Sequence, residues 1–226
     1  MHQETTAVLN VLFGVDPQCG FCPKDEKIPG TGELPVPDGD AVMVPAMELF
    51  LCVYNDTEEK QRWSFALSGD AHPLKTRHFQ EFGGKWPPHC IAGTPGSNFH
   101  PGIDLMTYAP HAIKMFQKGT SDADDGYSAA DGFEILTEQK LEEVYCWFDG
   151  KRSNIVFYVW GLATDYCVKA TVLDMLKLGY RVVLLVDAIR AVNVNPGDGE
   201  RAINEMVAAG AIRKTTKEVR DGYRLS

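Results

Sequence analysis

Short apolar runs that alternate with amphipathic stretches are the feature that most limits how this chain can fold. Thr5–Val15 is apolar and rich in β-branched residues, and it stops at Asp16-Pro17. Arg62–Ser68 stops at Gly69-Asp70, Ala112–Gln117 is a short third run, and Ile155–Trp160, Arg181–Val186 and Ala211–Thr215 complete the series. Runs of this length bounded by turn residues read as buried strands. Between them Pro45–Tyr54, Thr137–Phe148, Thr164–Leu178 and Glu200–Ala209 read as helices. Thr164–Leu178 gathers Val168, Val172, Met175 and Leu176 on one face and stops at Gly179, and Gly210 ends the last helix. Buried strands alternating with helices predict an α/β fold: residues 1–226 as one domain, a mostly parallel sheet flanked by helices on both faces in a Rossmann-like three-layer arrangement. Two segments fall outside this pattern. Residues 23–40 are rich in Pro, Gly and charge, and Ala71–Tyr108 is irregular but holds four of the six histidines. A loop that long is usually functional or disordered, and its Trp, Phe and His content favours function.

In such sheets ligands bind beyond the carboxyl ends of the strands. Charge narrows the ligand. The formal net charge of −9 argues against a surface built for nucleic acid or anionic membranes, and fits a small neutral or cationic molecule. No segment approaches the roughly 18 apolar residues of a membrane span. The polar, acidic Met1–Thr6 does not read as a secretory signal. Cys19, Cys22, Cys52, Cys90, Cys146 and Cys167 are too dispersed for a disulfide framework, so a reducing, cytoplasmic setting is expected.

Four places carry reactive groups. Cys167 lies just after the turn that ends the Ile155–Trp160 strand, with Thr164 placed to cap the following helix. A thiol in the first helical turn is expected to have a lowered pKa, and nearby N–H groups could hold an oxyanion. A small residue packed under a helix weighs equally. Asp16 ends the first strand, where a carboxylate is either a turn former or a site residue. Lys114 sits inside an apolar strand pattern, so it is either partnered or at a sheet edge. Asp70, His72, His78, Glu81 and His89 could bind a divalent metal such as zinc, iron or manganese, but their spacing also suits a solvated His-rich loop. Cys19-Gly20-Phe21-Cys22 lacks a second C-x-x-C and reads as incidental, while His2, His100 and His111 read as structural or surface residues.

Four blocks in order resemble the nicotinamidases of the isochorismatase-like cysteine hydrolase superfamily: VDPQCGFC (15–22), DAHP with WPPHC (70–73, 86–90), the KG after Lys114 with DDGYSA (118–129), and GLATDYCVKAT (161–171). The likeness runs from about Val8 to Thr215. It implies an isochorismatase-like fold and hydrolysis of nicotinamide, a linear carboxamide, to nicotinic acid and ammonia, feeding NAD salvage. It further implies Cys167 as nucleophile with Asp16 and Lys114 as catalytic partners. Asp70, His72 and His89 would hold one metal ion, zinc first and iron or manganese as alternatives, with His78 and Glu81 as weaker ligands. Phe21 and Trp86 would flank the pyridine ring, the Leu162–Ala163 bond would be cis, and Ala163 and Cys167 would supply oxyanion-hole N–H groups. The resemblance leaves room for a homo-oligomer. Ala71 stands where the family more often has Trp, and Ala130 and Asp131 where an aromatic often follows, so the pocket walls are expected to differ. Other readings are a different hydrolase of the superfamily, a non-catalytic metal-stabilised binding module, or a thiol redox protein.

Overall fold

The computed structural model describes residues 8–56, 59–103, 113–122, 124, 126–146 and 151–223. Its strands are β1 (Leu9–Val15), β2 (Trp63–Asp70), β3 (Ile113–Lys118), β4 (Phe133–Glu134), β5 (Ile155–Leu162), β6 (Arg181–Arg190) and β7 (Ile212–Lys214). They form one sheet in the order β4-β3-β2-β1-β5-β6-β7. Every neighbouring pair is parallel except β3 with β4. Helices are α1 (Met43–Tyr54), α2 (Leu141–Val144), α3 (Lys169–Lys177), α4 (Asp198–Ala208) and α5 (Thr216–Tyr223).

Alternation along the central strands decides which layer each side chain joins. Leu12 of β1 and Val156 and Trp160 of β5 pack with Leu49, Phe50 and Val53 of α1 and Val219 of α5. Val11, Phe13 and Val15 of β1 and Phe157 and Val159 of β5 point the other way, onto Val172 and Met175 of α3 and Met206 of α4. Both faces of the sheet are thus covered, which explains why these strands read as continuous apolar runs. The expected α/β architecture holds. No helix among the described residues is long and apolar enough to cross a membrane.

Local differences from the sequence reading have physical causes. Of Thr137–Phe148 only Leu141–Val144 is helical within the described residues. Glu138 is left-handed at φ 57°, and the N–H groups of Leu136 and Thr137 donate to the Glu134 side chain rather than opening a helix. The helix expected from Thr164 begins with a π turn, Thr164–Val168, closed by Val168 N donating to Ala163 O at 3.1 Å. Ala163, not Thr164, is its N-cap, and no side chain caps it. β4 and α5 were not expected from the pattern. β4 has two residues, and α5 follows β7 without a loop long enough to mark it.

Strand order reverses at β1: later strands add outward through β2 and β3 on one side, and through β5, β6 and β7 on the other. The crevice beyond β1 lies at this switch point. Gly161, opposite Val15 in β5, has φ +119°, and a Cβ there would stand 2.0 Å from Val15 O. Gly161→Ala is therefore expected to lower stability by about 3 kcal/mol or more, from overpacking and backbone strain together. A urea midpoint matching that of the wild type would show that the β1–β5 contact can relax.

Candidate active site and metal centre

Four strand ends meet in the crevice. Asp16 follows β1, Asp70 closes β2, Lys118 closes β3, and Cys167 lies in the π turn after β5. Asp16 is left-handed at φ 46°, which an aspartate tolerates, and its N–H still donates to Ser68 O at 3.0 Å. The turn aims its carboxylate inward, where Ser68 Oγ donates to Oδ1 at 2.8 Å. Lys118 Nζ stands 2.8 Å from Asp16 Oδ2, 2.5 Å from Asp70 Oδ1 and 3.5 Å from Cys167 Sγ, and it also donates to Gly126 O. All four side chains are buried. Gln18, also buried, braces Asp70: its amide donates to Asp70 O at 2.8 Å and accepts from Asp70 N at 2.7 Å.

The lysine of this cluster is Lys118, not Lys114. Lys114 pairs with Ala66 in mid-sheet and Lys118 with Asp70. Both point to the same face, but four residues of strand separate them by about 13 Å. Lys114 therefore cannot reach a carboxylate at the end of β1.

Burial acts on each charge in turn. It pushes Asp16 up to about 6; Lys118 opposes the rise and Asp70 adds to it. Asp70 is pulled the other way: burial would raise it, but the Lys118 ammonium is the largest opposing influence, and its pKa lies well below the carboxylate range. Burial alone would favour a neutral Lys118, yet Asp16 and Asp70 keep its pKa well above ordinary. The Cys167 thiol is pushed well up by burial, only partly offset by Lys118. The direction is opposite to the lowered pKa expected of a thiol in a first helical turn. Asp16 and Asp70 carry the carboxylates nearest this thiol, each with an oxygen within 4.8 Å of Sγ.

Across the same pocket, one nitrogen each from His72, His78 and His89 lie within 4.8 Å of one another. His72 Nδ1 is 3.0 Å from Gly119 O and His89 Nδ1 is 2.8 Å from Pro87 O. Carbonyl acceptors fix Nδ1 as the donor, so each ring turns its Nε2 the other way. His72 Nε2 is buried without a hydrogen-bond partner and faces Asp70 Oδ2 at 3.5 Å. An orphaned imidazole nitrogen facing a carboxylate oxygen in this way suits a cation held by both. Burial lowers His78 and His89 to about 4, so both are neutral at pH 7 and offer lone pairs without losing a proton. Gly119, at φ +63°, makes room for His72, whose Cε1 would lie 2.5 Å from a Cβ there. The residues present thus fit a divalent metal held by Asp70, His72 and His89, with His78 beside them. Glu81 does not join: it lies exposed in the turn Gln80–Phe82, outside the imidazole group.

Phe21 and Trp86 line the pocket, as do Ala163 and Cys167, and the Leu162–Ala163 bond is cis. Tyr127 and Tyr166 complete the wall. The sequence reading assigned neither, although both lie inside the blocks quoted above. Trp86 Nε1 donates to Tyr127 Oη at 3.0 Å, and this bond fixes the plane of the indole. Cys19 and Cys22 are buried free thiols. Burial raises both pKa values, that of Cys22 to about 12, which leaves them poor nucleophiles. His111 lies outside the described residues.

Comparison with known proteins agrees with this geometry. Residues 10–218 match the isochorismatase domain. A nicotinamidase from Escherichia coli strain K12 is 34% identical over 213 residues, spanning 88% of this chain and 92% of the relative. The pyrazinamidase of Pyrococcus horikoshii in complex with zinc superposes with a TM-score of 0.69 at 31% identity, over 91% of this chain and 98% of that one. PnC1 from L. infantum in complex with nicotinate gives 0.72 at 27% identity, over 93% and 94%. With residues 10–218 matched and a relative 34% identical over most of both chains, the chain belongs to the isochorismatase family, among the nicotinamidase-type hydrolases.

Proposed function

We propose that this protein hydrolyses nicotinamide to nicotinic acid and ammonia through a Cys167 thioester, supplying NAD salvage. The observation that carries this reading is the buried Lys118 ammonium, which joins Asp16, Asp70 and Cys167 beside three converging imidazoles. The nicotinamidase name of the E. coli relative and the nicotinate held by the L. infantum protein support the substrate. Asp70, His72 and His89, with His78 beside them, would hold the metal. Zinc is the first choice, on the chemistry of the donors and the zinc complex of the P. horikoshii protein. When bound, a divalent metal supplies a Lewis-acid anchor for a ring nitrogen.

The chain's own residues do the rest. Phe21 and Trp86 hold the aromatic ring and exclude water. Asp16 accepts the thiol proton as Cys167 Sγ bonds to the carboxamide carbon. The oxyanion meets the N–H groups of Ala163 and Cys167, and such a donor is typically worth about 3–4 kcal/mol. Asp16 then gives its proton to the departing nitrogen, so ammonia leaves and a thioester remains. Water, deprotonated by Asp16, cleaves the thioester, and the thiol recovers its proton. Throughout, Lys118 stabilises the ionised form of Asp16 and fixes its direction.

Cys167→Ala is expected to lower ammonia release from nicotinamide by roughly a factor of 10⁴ or more. Robust turnover by that variant rejects the thioester route.

The base has to be ionised, and burial raises Asp16 above the ordinary carboxylate value to about 6. The ratio kcat/KM should therefore fall as pH drops through that value, above the range in which His78 and His89 gain protons. Lys118 is what restrains the rise, so Lys118→Gln should move the acid limb to higher pH as well as cutting the rate. Lys114→Gln should leave the limb in place, and a pH profile that moves with Lys114 instead would return the role to that residue.

His72→Ala and His89→Ala are each expected to weaken metal binding by roughly a hundredfold or more, read by elemental analysis after dialysis. Glu81→Ala should retain its metal. Full occupancy in both histidine variants would refute this ligand set.

A further inference from the structure

Lys85 immediately precedes Trp86, and its exposed side chain folds back over the pocket wall. Its Nζ lies 4.6 Å from the Trp86 ring centroid and 4.5 Å from that of Tyr166, and donates to Tyr166 Oη at 2.5 Å. The two rings meet edge to face at 4.8 Å, and Tyr166 stacks on Tyr127 at 6.0 Å. All three aromatics line the pocket that holds Cys167. A shallow vestibule outside shares His78, Trp86 and Tyr127 with that pocket and adds Arg77, Lys85, Asp122 and Asp124.

The charges of the vestibule are not equally available. Arg77 Nε is matched to Asp122 Oδ2 at 2.8 Å. Asp124 turns both oxygens to backbone N–H groups, those of Gly119 at 2.7 Å and Gly126 at 2.8 Å. Lys85 has no carboxylate at ion-pair distance among the described residues. Its hydrogen-bond partner is the Tyr166 hydroxyl, and the Trp86 and Tyr166 rings flank the ammonium. A fixed cation therefore stands at the rim of a pocket in a chain of net charge −9.

We propose that Lys85 makes the pocket mouth charge-selective, favouring a pyridine that bears a carboxylate over one that bears a neutral amide, and so sets how long the acidic product is retained. The inference rests on the amidase reading, because hydrolysis turns a neutral ligand into an anion inside this pocket. Only the product feels the field of Lys85 as a charge. Lys85 takes no part in the bond changes.

Titration calorimetry of nicotinate onto the metal-loaded protein, beside KM for nicotinamide from ammonia release, tests this in the wild type and in Lys85→Met, Lys85→Arg and Lys85→Glu. Lys85→Met should weaken nicotinate roughly threefold, Lys85→Glu further, and Lys85→Arg should hold near wild type. In Lys85→Met and Lys85→Glu the nicotinate Kd should move more than the nicotinamide KM, and the gap between wild type and Lys85→Met should close at high salt. Equal shifts for both ligands would mean that Lys85 only packs over Trp86 and Tyr166, and a nicotinate Kd that does not move would equally overturn the proposal. A wild-type protein that releases no ammonia from nicotinamide counts against the amidase reading itself, separately from any response at Lys85.

Discussion

An ammonium taken fully out of water organises the crevice. Lys118 is completely buried, and burying a lone cation is strongly unfavourable. It is tolerated because Asp16 and Asp70 come within 2.8 and 2.5 Å and the Gly126 carbonyl accepts a further hydrogen bond. Removing one partner would strand a buried charge, so the three strand ends are held in register together. Sheet order makes this possible: β3, β2 and β1 lie side by side, so Lys118, Asp70 and Asp16 arrive at one edge.

Asp70 belongs to two assemblies. Oδ1 faces Lys118 and Oδ2 faces His72 Nε2. The nucleophile side and the imidazole side of the pocket therefore share one carboxylate, and a change in charge on either side is felt by the other. Gln18 fixes that carboxylate's backbone by two hydrogen bonds, while Asp124 fixes the loop whose Gly119 carbonyl orients His72 and whose Gly126 carbonyl meets Lys118. Groups that touch no substrate thus set the geometry of those that do.

Much of this was legible in the residues. Strand ends marked Asp16 and Asp70, and the turn after β5 marked Cys167, because apolar runs that stop at polar residues define where a parallel sheet opens. His72 and His89 were found by their blocks, not by spacing, since their approach depends on how the 71–103 loop folds back. Lys118 was missed in favour of Lys114 for a reason that the fold makes plain. A lysine in an apolar run looks anomalous and draws notice, whereas one at the strand end looks like solvent-facing punctuation. The strand-end rule that picked out Asp16 and Asp70 selects Lys118 once β3 is extended by one residue. Tyr127 and Tyr166 had no periodic signal at all, because pocket walls built from loops follow tertiary packing. Glu81 had the right residue type in the right loop, but its turn faces solvent.

The thiol shows best how tertiary structure overrides a local rule. A cysteine in a first helical turn is expected to ionise easily, yet Cys167 is only 7% exposed and burial raises its pKa well above 9.0. Lys118 favours the thiolate, but Asp16 and Asp70 stand in the same cluster and oppose a third negative charge there. The site therefore does not store a reactive anion. In the proposed reaction Asp16 is the base, and the same burial raises its affinity for a proton, so that proton transfer from sulfur to carboxylate would leave the number of charges around Lys118 unchanged. In the proposed reaction negative charge would pass from Asp16 to sulfur and on to the carbonyl oxygen without a net change beside the ammonium.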